Sequence, residues 1–155
     1  MVVGICILIA AGIFFGDLWI KNRIEKADEE NFPRFCAGNK IILKKYHNTG
    51  AMLNFGASKR AVVTAVSVFF TVLAGIAFVF SLGQRGNNAL RVGLALLLGG
   101  SFSNTYDRLK RKYVVDYLSF HVKWRRFQRI VFNFSDFCII IGSLLTVFMF
   151  PSESG

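Results

Sequence analysis

Four stretches of the chain are apolar over most of their length: residues 2–20, 61–82, 89–106 and 130–150. A bilayer-crossing helix needs roughly 20 mostly apolar residues, so the pattern predicts four transmembrane helices. The second stretch carries no charge, whereas the first and fourth carry Asp17 and Asp136. The third is the most polar. Arg91 is expected to snorkel to one surface, and Ser101, Ser103, Asn104 and Tyr106 crowd the other end. Four spans put both termini on one side of the membrane. The long connections 21–60 and 107–129 then share the opposite side, and 83–88 is a short polar turn.

The first connection is more than a linker. Residues 41–55 read as an apolar run, a turn signal at Asn48-Thr49-Gly50 and a second apolar run, which predicts a short β element. Residues 26–30 are acidic and solvated. In the third connection, residues 114–127 mix aromatics with bases and are expected to lie in the interface plane. Trp19, Tyr106, Tyr113, Tyr117 and Trp124 map to that level as an aromatic belt. The chain shows no repeat and no linker, and its only prolines are Pro33 and Pro151, so it reads as one membrane domain over residues 1–155.

Composition agrees. Of 155 residues, 54% are hydrophobic, 17 are Phe and only 9 are acidic, which is too apolar for a soluble domain. The first span has no basic leader and ends in Asp17-Leu-Trp-Ile-Lys21, so it is read as retained rather than cleaved. Of 19 Lys and Arg, nine lie in residues 21–60 and eight in 107–129, leaving Arg85 and Arg91. The positive-inside rule would make both long connections cytoplasmic. Basic residues beside a span contact anionic headgroups, worth about 1 kcal/mol each. Membrane lipid, not nucleic acid, is therefore the expected surface partner. Cys6, Cys36 and Cys138 are odd in number and scattered, and His47 and His121 lack ligand spacing. No disulfide, metal or cofactor is expected.

The polar residues that remain are not scattered. Asp17 closes the first span, and Asn104, Asp107 and Arg108 close the third. Asn133 and Asp136 open the fourth, three apart and so on one helical face, while Asn48, Gly50 and Asp116 lie in the adjoining connections. All sit toward the two long connections. A carboxylate in or beside a bilayer is costly and marks a functional-site hypothesis. Asp17 and Lys21 are spaced to pair on a helix, and Arg108 is suited to hold carboxylates or carbonyls. Asp136 has no base three or four residues away, so it needs a distant partner or a proton.

Two carboxyls that meet cannot both ionise freely, and the pair tends to hold one proton. The ionised member can activate water while the neutral one protonates a leaving amine. That suits peptide-bond hydrolysis without a metal or a Ser or Cys nucleophile. Ser101 and Ser103 have no His nearby in sequence, and Gly-x-Ser-x-Gly, His-Glu-x-x-His and phosphate-loop motifs are absent. A proton-coupled transporter with Asp17 and Asp136 as relay groups is a rival reading, but it calls for carboxylates at the midplane rather than one edge.

Four ordered blocks resemble signal peptidase II, the bacterial prolipoprotein signal peptidase. They are Asp17-x-x-x-Lys21; Asn48-Thr-Gly-Ala51, like Asn-x-Gly-Ala-Ala-Phe; Gly99-Gly-Ser-Phe-Ser-Asn-Thr-Tyr-Asp-Arg108 with Val114-Val-Asp116, like Gly-Gly-x-x-x-Asn-x-x-Asp-Arg and Val-Val-Asp-Phe; and Phe132-Asn-Phe-Ser-Asp136, like Phe-Asn-x-Ala-Asp. The resemblance implies an aspartic intramembrane endopeptidase that cuts before the diacylglyceryl-modified Cys of a prolipoprotein. Asp116 and Asp136 fall on its catalytic dyad. Asn48, Gly50, Asn104, Asp107, Arg108 and Asn133 fall on supporting or substrate-contacting positions, and Asp17 and Lys21 on a structural or assisting pair. It also implies four transmembrane helices, a small extracytoplasmic β-cradle from the first connection, an interfacial helix from the third, and binding of cyclic-peptide inhibitors of the globomycin type. The expected location is the bacterial cytoplasmic (inner) membrane, with the active site facing outward, against the positive-inside count. Ser135 departs from the family's Ala, Met52 from Ala and Leu53 from Phe, with Phe55 nearby. These departures make a diverged, non-catalytic lipoprotein- or lipid-binding paralogue the alternative.

Overall fold

The computed structural model describes residues 2–50, 59–83 and 86–149. The departures at Met52 and Leu53, with Ala51 and Phe55, lie outside the described residues, as does Arg85. Four helices dominate: α1 (Val2–Lys26), α2 (Arg60–Gly83), α3 (Asn88–Lys110) and α5 (Phe134–Met149), the last preceded by a single turn, α4 (Arg125–Gln128). Among the described residues, α1 and α2 are long and apolar enough to cross a membrane, and α5 is apolar but shorter. Their outer faces leave large side chains such as Leu8, Phe15, Phe70, Phe80 and Phe148 exposed. Water would not solvate such continuous apolar faces, but lipid does.

Helix α3 is the centre of the bundle and packs on α1, α2 and α5. Its Ser103, Thr105 and Asp107 are buried inside the bundle. Close approach needs glycine. A Cβ on Gly100 would stand 2.6 Å from the Ser135 carbonyl oxygen, and one on Gly142 the same distance from that of Gly93. Small residues of this kind let membrane helices bring their backbones together. Gly100→Ala is expected to overpack this seam at a cost of about 1–3 kcal/mol. The measurement is the thermal midpoint in detergent, and an unchanged midpoint would show that α3 and α5 part freely.

The N-terminal end of α3 is fastened twice. The Asn87 side chain accepts from the Leu90 N–H at 3.0 Å as an N-cap and donates to the Met149 carbonyl at 2.7 Å, tying α3 to the end of α5. Arg91 does not snorkel. It is buried, donating to the Ser81 carbonyl at 3.0 Å and to Asn88 at 3.1 Å. A cation on the last carbonyls of α2 satisfies groups that the helix itself leaves unpaired.

The two long connections meet in one antiparallel sheet of order β1 (Arg34–Cys36), β2 (Ile41–Asn48), β3 (Val114–Phe120). The β element expected in the first connection therefore exists as β2. Its partners are Arg34–Cys36 and a strand from the other connection. Residues 114–120, read from sequence as an interfacial segment, form that strand, and only α4 is helical there. Of the residues read as an aromatic belt, Tyr117 is buried, Tyr113 is half-buried, and Trp19, Tyr106 and Trp124 are exposed.

Helix ends also move. α3 runs on to Lys110, placing Asp107 and Arg108 inside its last turns. α5 begins at Phe134 rather than residue 130, because Phe132 exchanges backbone hydrogen bonds of 2.7 Å with Leu118 and extends the sheet edge.

Candidate active site

Asn133 builds the site. It is the residue before α5, and its side-chain oxygen accepts from the Asp136 N–H at 2.9 Å while the Asp136 carboxylate accepts from the Asn133 N–H at 3.0 Å. This is a reciprocal capping box, and it explains the three-residue spacing. The amide of Asn133 is thereby left free to donate to Asp116 Oδ1 at 2.7 Å. One residue thus touches both acids, one through its backbone and the other through its side chain.

Asp116 lies on β3, opposite Tyr46 of β2. Asn48, two residues further along β2, reaches diagonally and donates to Asp116 Oδ2 at 3.0 Å. Its amide cannot flip freely, because its oxygen accepts from the Gly50 N–H at 3.1 Å in an Asx-type turn. Gly50 therefore acts on Asp116 through Asn48. Asp136 Oδ1 accepts from Asn104 at 2.9 Å.

A cavity of about 200 Å³ is lined by Asn48, Asn104, Arg108, Asp116 and Asp136, with Val114, Val131, Phe132, Ile139 and Ile140 as its apolar wall. Burial, and then the charge of Asp136, push the Asp116 carboxyl up to about 7, against the pull of its two amide donors. Arg108 makes no hydrogen bond or ion pair within the described residues, yet it lies within the field of Asp116, Asp136 and Asp107. Its guanidinium is available to the cavity.

Behind the cavity is a second polar layer. Lys21 is fully buried and meets Asp17 at 2.7 Å and Asp107 at 3.2 Å. It also donates to Ser103 at 3.0 Å and to the Asn104 oxygen at 2.9 Å. With that oxygen held, the Asn104 NH₂ must face Asp136. Asp107 additionally meets Arg111 at 3.2 Å and accepts from the Val115 N–H at 3.2 Å, fixing the start of β3.

Asp17, Lys21 and Asp107 thus stand behind the cavity rather than on it, as does Gly50. The Ser135 hydroxyl donates to Asp17 at 2.6 Å rather than to either acid of the cavity. The sequence reading missed Ser103 and Tyr117, whose hydroxyls reach Asp17 at 2.6 and 2.9 Å. Ser103 had a signal, four residues before Asp107 on one helical face. Tyr117 had none, because β3 is buried on both faces and shows no alternation. His47 meets Glu25 at 2.7 Å and stacks on Tyr113, which also donates to Glu25.

The model of the family described as signal peptidase (SPase) II matches residues 9–151. The lipoprotein signal peptidase of Clostridium acetobutylicum is 30% identical over 143 residues, covering 90% of this chain and 88% of that protein. That of Alteromonas mediterranea is 37% identical over 105 residues, 65% of this chain and 56% of that protein. Two structures of bacterial membrane enzymes solved by the in meso method share the fold. One has a TM-score of 0.78 at 23% identity, covering 94% of this chain and 86% of that one. The other has a TM-score of 0.76 at 20% identity, covering 97% and 95%. With apolar helices facing outward and a match that runs through nearly every element of the bundle and sheet, this membrane chain belongs to the signal peptidase II family.

Proposed function

We propose that this signal peptidase is an aspartic endopeptidase, with Asp116 and Asp136 as its catalytic pair, and that it removes signal peptides from diacylglyceryl-modified prolipoproteins by cutting before the lipidated Cys. The observation that carries this reading is that both acids bond to Asn133 and line one cavity. In this reading Asp116, raised to about 7, is the member that carries the proton of the pair. Asp136, its oxygens aimed by Asn104 and the Asn133 N–H, takes the part of the base. Asp136 takes a proton from water as the water oxygen bonds to the scissile carbonyl carbon. Asp116 supplies a proton on the leaving side as the C–N bond breaks. Arg108 faces the carbonyl oxygen or the lipid-bearing residue, and Asn48, Asn104 and Asn133 hold the acids in place.

In the same proposal all four long helices span the bacterial cytoplasmic membrane. α3 does so with its polar groups satisfied inside the bundle. The sheet and the cavity lie on the extracytoplasmic side. Residues 1–155 act as one membrane-embedded peptidase domain, and globomycin-type cyclic peptides compete for the cavity. The lipid anchor holds the scissile bond at the depth of the acids, which lowers the entropic cost of meeting them.

The test is cleavage in proteoliposomes of a precursor with and without its diacylglyceryl group. Cleavage of the lipidated form alone is expected. Binding of that precursor without turnover would support the non-catalytic paralogue instead. A pH series gives a second check. Asp116 must keep its proton, so kcat/KM is expected to fall as pH rises through about 7. A profile flat to pH ~9 would remove Asp116 from the acid role.

A further inference from the structure

Asp17 is fully buried and does not line the cavity, but it touches the sequence neighbours of both acids. Tyr117 follows Asp116, and its hydroxyl donates to Asp17 Oδ1 at 2.9 Å. Ser135 precedes Asp136, and its hydroxyl donates to Asp17 Oδ2 at 2.6 Å. The Tyr117 oxygen also accepts from the Phe134 N–H at 3.1 Å, stitching β3 directly to the first turn of α5. Ser103 and Lys21 complete the shell of Asp17 from α3 and α1. One carboxylate therefore joins the two backbone segments that carry Asp116 and Asp136. Both hydroxyls arrive at the same carboxylate.

The distance between two like-charged groups sets how strongly each disturbs the other, and the effect falls with separation. In a low-dielectric site a small change in spacing matters. A link one residue away from each acid controls that spacing without touching substrate. Resting on the aspartic peptidase reading, we propose that Tyr117 and Ser135 are positioning residues whose hydroxyls, joined on Asp17, hold Asp116 and Asp136 at the separation that hydrolysis requires. Lys21 from α1, Asp107 and Arg108 from α3, and Asp136 and Cys138 from α5 are the other titratable or charged groups facing this assembly. None of them is altered by Tyr117→Phe or Ser135→Ala.

Tyr117→Phe and Ser135→Ala keep the shape and each remove one donor to Asp17, and Tyr117→Phe also removes the acceptor of the Phe134 N–H. The full chain in proteoliposomes, wild type and each single variant, is assayed across pH on a lipidated precursor, and each is melted in parallel. Each variant is expected to lose about tenfold in kcat with KM unchanged, because misplacement of catalytic groups by a fraction of an ångström is felt in the chemical step. The alkaline limb of its profile is expected to move toward lower pH as the two acids separate. A lower melting point with kcat and the pH profile unchanged would make the hydroxyls merely structural and overturn the inference, leaving the peptidase reading intact. A wild type that does not cleave, or an Asp136→Asn variant that still does, overturns both.

Discussion

Asp136→Asn and Asp116→Asn are each expected to reduce cleavage of a lipidated precursor by about 10³-fold or more, the range for losing a positioned acid or base. The two variants fail for different reasons. Asp136→Asn leaves water without a base, although the new amide oxygen can still accept from the Asn133 N–H or from Asn104. Asp116→Asn removes the proton donor and also sets an NH₂ group against two fixed amide donors, Asn48 and Asn133. Stability gives a second readout. The Asp116 carboxyl is raised from an ordinary 3.8 to about 7 in the folded protein, so the folded state binds the extra proton. Its contribution to stability is complete below the ordinary value and is lost as pH rises through about 7. Wild type should therefore melt progressively lower over that interval, and Asp116→Asn should show a flatter pH dependence. The check is the melting point in detergent at several pH values, alongside the cleavage assay. Full cleavage by either variant would end the dyad assignment.

Lys21→Met is expected to be the most damaging single change to the fold. Lys21, Asp17 and Asp107 are all fully buried, and Lys21 is the cation between the two carboxylates. Removing one partner of a buried ion pair strands the other charge, at a cost of about 3–5 kcal/mol. Arg111 would still face Asp107, but Asp17 would keep only hydroxyl donors. Activity should fall with the fold, because Lys21 also fixes the Asn104 amide that faces Asp136. Melting and cleavage are read on the same preparation at low temperature. A variant that melts within a degree of wild type would mean that the buried layer carries little of the stability.

The pairing of Asp17 with Lys21 was legible in the chain, because helical spacing of four residues is a local fact. So was the grouping of Asn133 with Asp136, although the sequence offered it as a shared helical face and the structure makes it a capping box. The turn at Asn48 was legible too, as an Asn-x-Gly signal. Arg91 was misread. A cation in an apolar stretch looks as if it must reach water, and only the end of α2 brought alongside it supplies the alternative.

Residue order alone therefore determined the long apolar helices, the turn chemistry at Asn48, the ion pair on α1 and the concentration of acids and amides toward one end. Each of these follows from periodicity or spacing within a few residues, where backbone geometry is fixed in advance. Only the tertiary structure decided that residues 114–120 join β2 as a strand, that Asn133 serves both acids, and that hydroxyls from β3, α3 and α5 converge on Asp17. Those contacts join positions 17 to 118 residues apart. Such partners are selected by packing around α3 and by the need to satisfy every buried polar group, and neither condition is written in local sequence.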